Sequence, residues 1–216
     1  MQILKDLYLL AEKLRDRLAL PLPGNEAHAP FRATPVGSVI PRFDHKVAPK
    51  PGSVLILLYP DNDQIMFPLI KRPDYLGAHS GQISLPGGKA EPGEDYIQAA
   101  LREGEEEVGI RKESVNVIGR LSDFFVIPSN FLVVPVIGYL NHKPLFVPDP
   151  LEVVKIISGN LNQLVHEEAV KEKEILAAGK YRMKAPHFEI ENEVVWGATA
   201  MMLNEFRIVL KSIELG

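Results

Sequence analysis

Apolar residues recur along this chain with two different periods, and the changes of period mark its elements. Ile3, Leu7, Ala11, Leu14 and Leu18 follow helical spacing. They predict an amphipathic helix over residues 2–19, docked on the body of the protein or on a second subunit. Residues 21–52 carry many prolines and few periodic apolar positions, so they read as a long connecting arm. The run Ser53-Val-Leu-Ile-Leu-Leu-Tyr59 is apolar at almost every position, as in a strand covered on both faces. A turn at Pro60-Asp61-Asn62-Asp63 leads to a partner strand over residues 64–71. Further on, residues 115–127 and 131–140 read as strands joined at Pro128-Ser129-Asn130, and a terminal helix runs from Trp196 to about Leu215. Residues 166–180 balance their charges and read as a solvated helix or loop.

The stretch from Gly88 to Ile110 is the most structured of all. Pro92-Gly93 ends a loop, Glu94 and Asp95 place negative charge at a helix start, and Gly109 supplies the stop. Ile97, Leu101, Gly104 and Val108 fall within an arc of about 60° and predict the core-facing side of that helix. Glu103, Glu106 and Glu107, spaced i, i+3, i+4, share an arc of about 100° centred roughly 130° away. Adjacent like charges on one face repel, and a divalent cation removes the penalty. Clustered hard oxygens suit Mg²⁺ or Mn²⁺. Arg102 reaches Glu106 at i+4 and holds it in one orientation. Read from spacing alone, the same acids also describe a solvated helix face.

Composition narrows the field. At 216 residues the chain suits one large domain with appended elements. A net charge of −4 argues against a nucleic-acid-binding surface, which needs clustered Lys and Arg. Zero cysteines exclude disulfides, thiolate metal sites and Cys nucleophiles. No apolar run reaches the length of a membrane span or a signal segment, and the simplest expectation is a cytoplasmic protein. The turn Pro86-Gly87-Gly88 lets backbone approach a phosphate or metal closely. Gly87-Gly88-Lys89 is not a P-loop, since no glycine precedes it at the required spacing.

With all its spacings counted, the stretch fits G-x5-E-x7-R-E-U-x-E-E-x-G-U, where U is bulky and apolar. Gly88, Glu94, Arg102, Glu103, Glu106, Glu107 and Gly109 fill the fixed positions. It therefore resembles the Nudix box of nucleoside-diphosphate-X hydrolases. Gly104 stands where that family prefers a larger apolar residue. Upstream, Pro68-Leu69-Ile70-Lys71-Arg72-Pro73, Gly77, Gly81 and Leu85-Pro86-Gly87-Gly88 are similar to the motif that precedes the box in coenzyme A pyrophosphatases of that family. Arg72, Gly81 and Pro-Gly-Gly keep its register. A second motif arginine is replaced by Gly77, a Ser/Ala by Pro73 and a Phe by Leu85. Glu152-Val153 and Trp196-Gly197-Ala198-Thr199-Ala200 resemble later signatures of the same subfamily.

The resemblance implies an α/β/α sandwich with a mixed, curved sheet, forming a catalytic domain over 53–216 behind an N-terminal helix and arm over 1–52. It implies Mg²⁺ or Mn²⁺ held by Glu106, Glu107, Glu103 and the Gly87 carbonyl, with Glu103 as ligand or base, Arg102 orienting a glutamate and Glu94 bracing the loop. An extra acid would come from Glu167, Glu168 or Glu172. Lys71, Arg72, His79, Gly81 and Gly88 are the candidates for binding a nucleoside-diphosphate-linked substrate, the guanidinium of Arg72 matching phosphate oxygens. The implied reaction cuts coenzyme A or acyl-coenzyme A into 3′,5′-ADP and 4′-phosphopantetheine or its acyl form. Two alternatives stay open: hydrolysis of ADP-ribose, NADH or another nucleoside diphosphate derivative, and a non-catalytic nucleotide sensor. A homodimer is expected, with the N-terminal helix or arm as contact.

Overall fold

A computed structural model describes residues 6–38, 40–74, 80–177 and 179–213. Strand β2 (Lys50–Asp61) is the axis of the fold. It runs parallel to β8 (Phe131–Tyr139) on one side. On the other it pairs antiparallel with β3 (Gln64–Lys71) and with β5 (Gly87–Lys89). Residues Asn62 and Asp63 between β2 and β3 both have positive φ, 46° and 57°, the two-residue turn that matches the twist of a hairpin. With β4 (Ile83–Ser84), β6 (Asn116–Arg120), β7 (Phe124–Val126) and β9 (Lys155–Asn160), the described residues form an eight-stranded mixed sheet.

The alternation of β2 divides the core into two layers. Leu55, Leu57 and Tyr59 pack with Ala100 and Val108 of α3 (Tyr96–Val108). Ile56 and Leu58 face the other way. They pack with Leu10 and Leu14 of α1 (Leu7–Leu18) and with Leu203 and Phe206 of α5 (Gly197–Lys211). The sheet thus lies between helices on both faces, the α/β/α arrangement expected. A smaller sheet joins β1 (Thr34–Pro35), β11 (Tyr181–Ile190), β10 (Val170–Ala177) and β12 (Glu193–Trp196). No helix among the described residues is long and apolar enough to cross a membrane.

Four expectations need correction. The arm is not featureless: it holds α2 (Asn25–His28), a single 3-10 turn and β1, and Phe31 enters the main core at 2% exposure. Its anchor is Glu205 of α5, which accepts from His28 Nε2 (2.9 Å), Gly24 N (3.0 Å) and Ser122 Oγ (2.6 Å). That last bond also explains why 115–127 is two strands: Ser122 leaves the ladder to reach Glu205. Third, residues 170–177 form a strand. Their charges are a cross-strand ladder, Lys171–Glu189 (2.6 Å), Glu172–Lys184 (2.8 Å) and Glu174–Arg182 (2.6 Å). Fourth, α3 buries a different arc. Ala100, Gly104, Glu107 and Val108 face the core, while Ile97 is 42% exposed. With Ala99 buried as well, the buried side is turned toward the acids. The turn is possible because Gly104 lets the helix settle on the sheet: a Cβ there would lie 2.9 Å from Leu55 and 3.1 Å from Ile110.

Candidate active site

The site lies where the loop from β5 meets α3. Asp95 caps the helix and exchanges bonds with Gln98 in a capping box, and left-handed Gly109 ends it. The helix is therefore held in register at both ends, which sets the direction of its carboxylates.

Those carboxylates share one flank but meet different partners. Arg102 spends its guanidinium on the first group. It donates to Glu94 Oε1 (2.8 Å) and Oε2 (3.1 Å), to Glu103 (3.0 Å), to Glu106 (2.8 Å) and to the Lys89 carbonyl (3.0 Å). Glu94 in turn accepts from the Glu91 N–H (2.9 Å), so the loop is braced. Glu107 is turned inward and its side chain is 1% exposed. One of its oxygens accepts from the Gly87 N–H (2.7 Å) and the other from Arg72 Nη2 (3.1 Å). The same Arg72 nitrogen donates to the Gly87 carbonyl (2.9 Å). Gly88 lies against Glu103: a Cβ there would sit 2.6 Å from the carboxylate and push it from its present direction. As arranged here, no three Asp, Glu or His side chains among the described residues converge on one point.

Electrostatics follow from this partition. Burial pushes Glu107 up to about 7, against the pull of Arg72 and of the Gly87 N–H. Burial also raises Glu103, against Arg102. The negative charge of Glu152 acts on both groups. The described neighbourhood thus offers a carbonyl, two carboxylates of raised proton affinity and a third acid at hand. A set of hard oxygens already drawing positive charge fits a divalent cation.

Glu152 was legible only as part of a subfamily signature. Its position follows from the loop that carries it: Val147 N–H bonds the Val108 carbonyl (3.0 Å), Asp149 N–H the Glu107 carbonyl (3.1 Å), and Asp149 Oδ1 accepts from Glu152 N–H (3.3 Å). An Asx-turn at Asp149-Pro150 is the signal in the sequence. The acids named for that role lie elsewhere: Glu167 pairs with Arg207 and Lys211, and Glu172 with Lys184. Glu168 lines a separate groove with His166 and Phe188. Of the substrate candidates, Lys71 is engaged by Glu193 (2.9 Å), and Gly81 donates its N–H to the Pro73 carbonyl (3.2 Å). His79 and Gly77 fall outside the described residues.

Beside Arg72, Gly87 and Gly88 opens a cavity of about 760 Å³. Its walls are largely apolar, with Phe43, Phe124, Phe131, Trp196, Met201 and Met202 among them.

The family model described as NUDIX domain matches residues 49–175. Nudix hydrolase 15, mitochondrial, of Arabidopsis thaliana is 36% identical over 163 residues, 72% of this chain and 56% of that protein. The chain thus spans little more than half the length of that relative. Peroxisomal coenzyme A diphosphatase NUDT7 of Mus musculus is 31% identical over 172 residues, 79% of this chain and 69% of that protein. Among solved structures, the Nudix hydrolase RenU of M. smegmatis superposes with a TM-score of 0.55 at 17% identity, over 79% of this chain and 91% of that one. At that identity the likeness is one of fold.

Proposed function

This chain belongs to the NUDIX family, and we propose that it is a divalent-metal-dependent pyrophosphohydrolase that cleaves coenzyme A or acyl-coenzyme A to 3′,5′-ADP and 4′-phosphopantetheine or its acyl form. Nudix hydrolases generally use divalent metal ions and act on nucleoside-diphosphate-linked substrates. Held by the Gly87 carbonyl, Glu106 and Glu107, Mg²⁺ or Mn²⁺ would neutralise diphosphate oxygens and lower the proton affinity of a water. The rest is the work of the chain. Gly88 keeps the floor of the cradle free of side chain, and Arg102 holds Glu103 and Glu106 in fixed directions. Glu103, whose burial favours its proton-bound form, is suited to accept a proton from the attacking water.

The observation that carries the coenzyme A reading is the apolar cavity opening beside Gly87 and Gly88. A diphosphate seated at that glycine pair has its non-nucleotide end within reach of Phe43, Trp196 and Met202, which suit pantetheine and an acyl tail. Those three residues lie outside the matched span of 49–175, in the arm and the C-terminal section. The similarity to a mouse coenzyme A diphosphatase points the same way. A second reading keeps the reaction but takes ADP-ribose, NADH or a related compound, favoured by Gly77 in place of the subfamily's second arginine.

The test is a panel of coenzyme A, acyl-coenzyme A, ADP-ribose, NADH and diadenosine polyphosphates with Mg²⁺ or Mn²⁺, products identified by mass, and Glu106→Gln as control. Release of 3′,5′-ADP from the coenzyme A compounds at the highest kcat/KM is expected. Faster cleavage of ADP-ribose or NADH selects the second reading, and a Glu106→Gln variant as fast as the parent refutes the metal site.

A further inference from the structure

Arg72, a substrate candidate, is bonded within the cradle in this structure. Its Nη2 is bonded to the Gly87 carbonyl (2.9 Å) and to Glu107 Oε1 (3.1 Å), oxygens of two buried residues of the cradle. Its Nε rests on Ser84 Oγ (3.2 Å), and its own N–H bonds the Gln82 carbonyl (3.0 Å). The side chain is 21% exposed and borders the cavity together with Gly87 and Gly88, so it is reachable from the cleft. A metal ion bound to this pair of oxygens on the side that the guanidinium nitrogen occupies competes with it for them. An ion about 2.1 Å from each would lie in contact with the nitrogen, cation against cation. Arg102 differs, since its nitrogens are tied to Glu94 and a backbone carbonyl as well as to Glu103 and Glu106.

We propose that Arg72 is an internal counter-cation: it holds the Gly87 carbonyl and Glu107 until a divalent ion takes those oxygens, and its displaced fork then binds the substrate diphosphate. This rests on the metal-dependent reading above and adds a competition that orders the events. The diphosphate finds its arginine free only after the ion is in place, which couples the two ligands positively. The rival role, a strut that aligns Glu107 for the ion, has the opposite sign. Removing a strut weakens metal binding, whereas removing a competitor strengthens it.

The experiment is calorimetric titration of the metal-stripped full chain and its Arg72→Gln variant with Mn²⁺, at one fixed pH near 8.5 for both. Imidodiphosphate is then titrated with and without Mn²⁺. Arg72→Gln is expected to bind Mn²⁺ about tenfold more tightly, the size of one charge-assisted hydrogen bond, and to lose most of the gain in imidodiphosphate affinity that Mn²⁺ gives the parent. Equal or weaker Mn²⁺ binding by the variant overturns the proposal while leaving metal-dependent hydrolysis intact. A parent chain that binds no Mn²⁺ overturns both. Should Arg72→Gln not fold, crystals of the parent with and without Mn²⁺ decide. Arg72 leaving the Gly87 carbonyl when the ion binds supports the exchange, and Arg72 remaining there beside a bound ion refutes it.

Discussion

Replacing Glu107 by glutamine isolates the electrostatic cost of the buried carboxylate. The folded chain holds the Glu107 proton up to about pH 7, against the usual 4.5, because burial disfavours the ionised form more than Arg72 and the Gly87 N–H favour it. Between these values the unfolded chain has released the proton and the folded chain has not, so rising pH costs stability. Below 4.5 both states are protonated; above about 7 both are ionised and the loss is complete. The interval corresponds to about 3 kcal/mol, with no discount for solvent, since the side chain is 1% exposed. Glu107→Gln has no proton to lose. Urea unfolding of metal-free parent and variant from pH 5 to pH 8 therefore measures the effect as the change in their difference, other titrating groups being common to both. The difference should move in favour of the variant by about 2–3 kcal/mol as pH rises, most of it below pH 7. A difference constant within about 0.5 kcal/mol would mean that Glu107 titrates as an ordinary carboxylate and that its inward orientation is wrong.

Three other changes probe separate parts of the molecule. Gly104→Leu, which restores the larger residue of the Nudix pattern, drives a side chain into Leu55 and Ile110; a loss of about 1–3 kcal/mol in denaturant unfolding is expected, and none would show that α3 does not sit so close to the sheet. Glu205→Ala leaves His28, Ser122 and the Gly24 N–H without their common partner. It should cost about 3–5 kcal/mol and expose the arm to proteolysis, and an unchanged digestion pattern would contradict the anchor. Glu152→Gln should lower hydrolysis at limiting Mg²⁺ by about 10–100-fold with recovery at high Mg²⁺; activity within twofold of the parent at all concentrations would exclude it from the site.

What could be read from the letters was what local chemistry decides. The β2–β3 hairpin, the start of α3 at the Asp95 cap and its end at Gly109 are written in turn and cap residues within a few positions of each other. The gathering of Glu103, Glu106 and Glu107 on one helix was equally local, because fixed positions within α3 specify it. Partners distant in sequence were not. The period-2 alternation of Lys and Glu in 170–177 is a strand signal only when β11 supplies the opposite charges. The role of Ser122 depends on Glu205, 83 residues away. The inward turn of Glu107 depends on Arg72, 35 residues upstream, and on the absence of a side chain at Gly104.

These long-range partners explain how the chain carries three neighbouring acids on one helix. Left to itself such a face repels. Here the fold divides it: Arg102 draws Glu103 and Glu106 to the loop side, and Arg72 with Gly87 takes Glu107 beneath the helix. The division is incomplete at one point, since burial of Glu107 outweighs the help of its arginine and raises its proton affinity, with Glu103 and Glu152 adding negative charge nearby. The cradle therefore keeps an unmet demand for positive charge at the Gly87–Glu107 oxygens, where a diphosphate approaching over Gly88 brings more negative charge still. A fold that wanted only stability could have met that demand with an apolar residue at 107. A carboxylate kept there at such cost has its physical reason in what binds beside it.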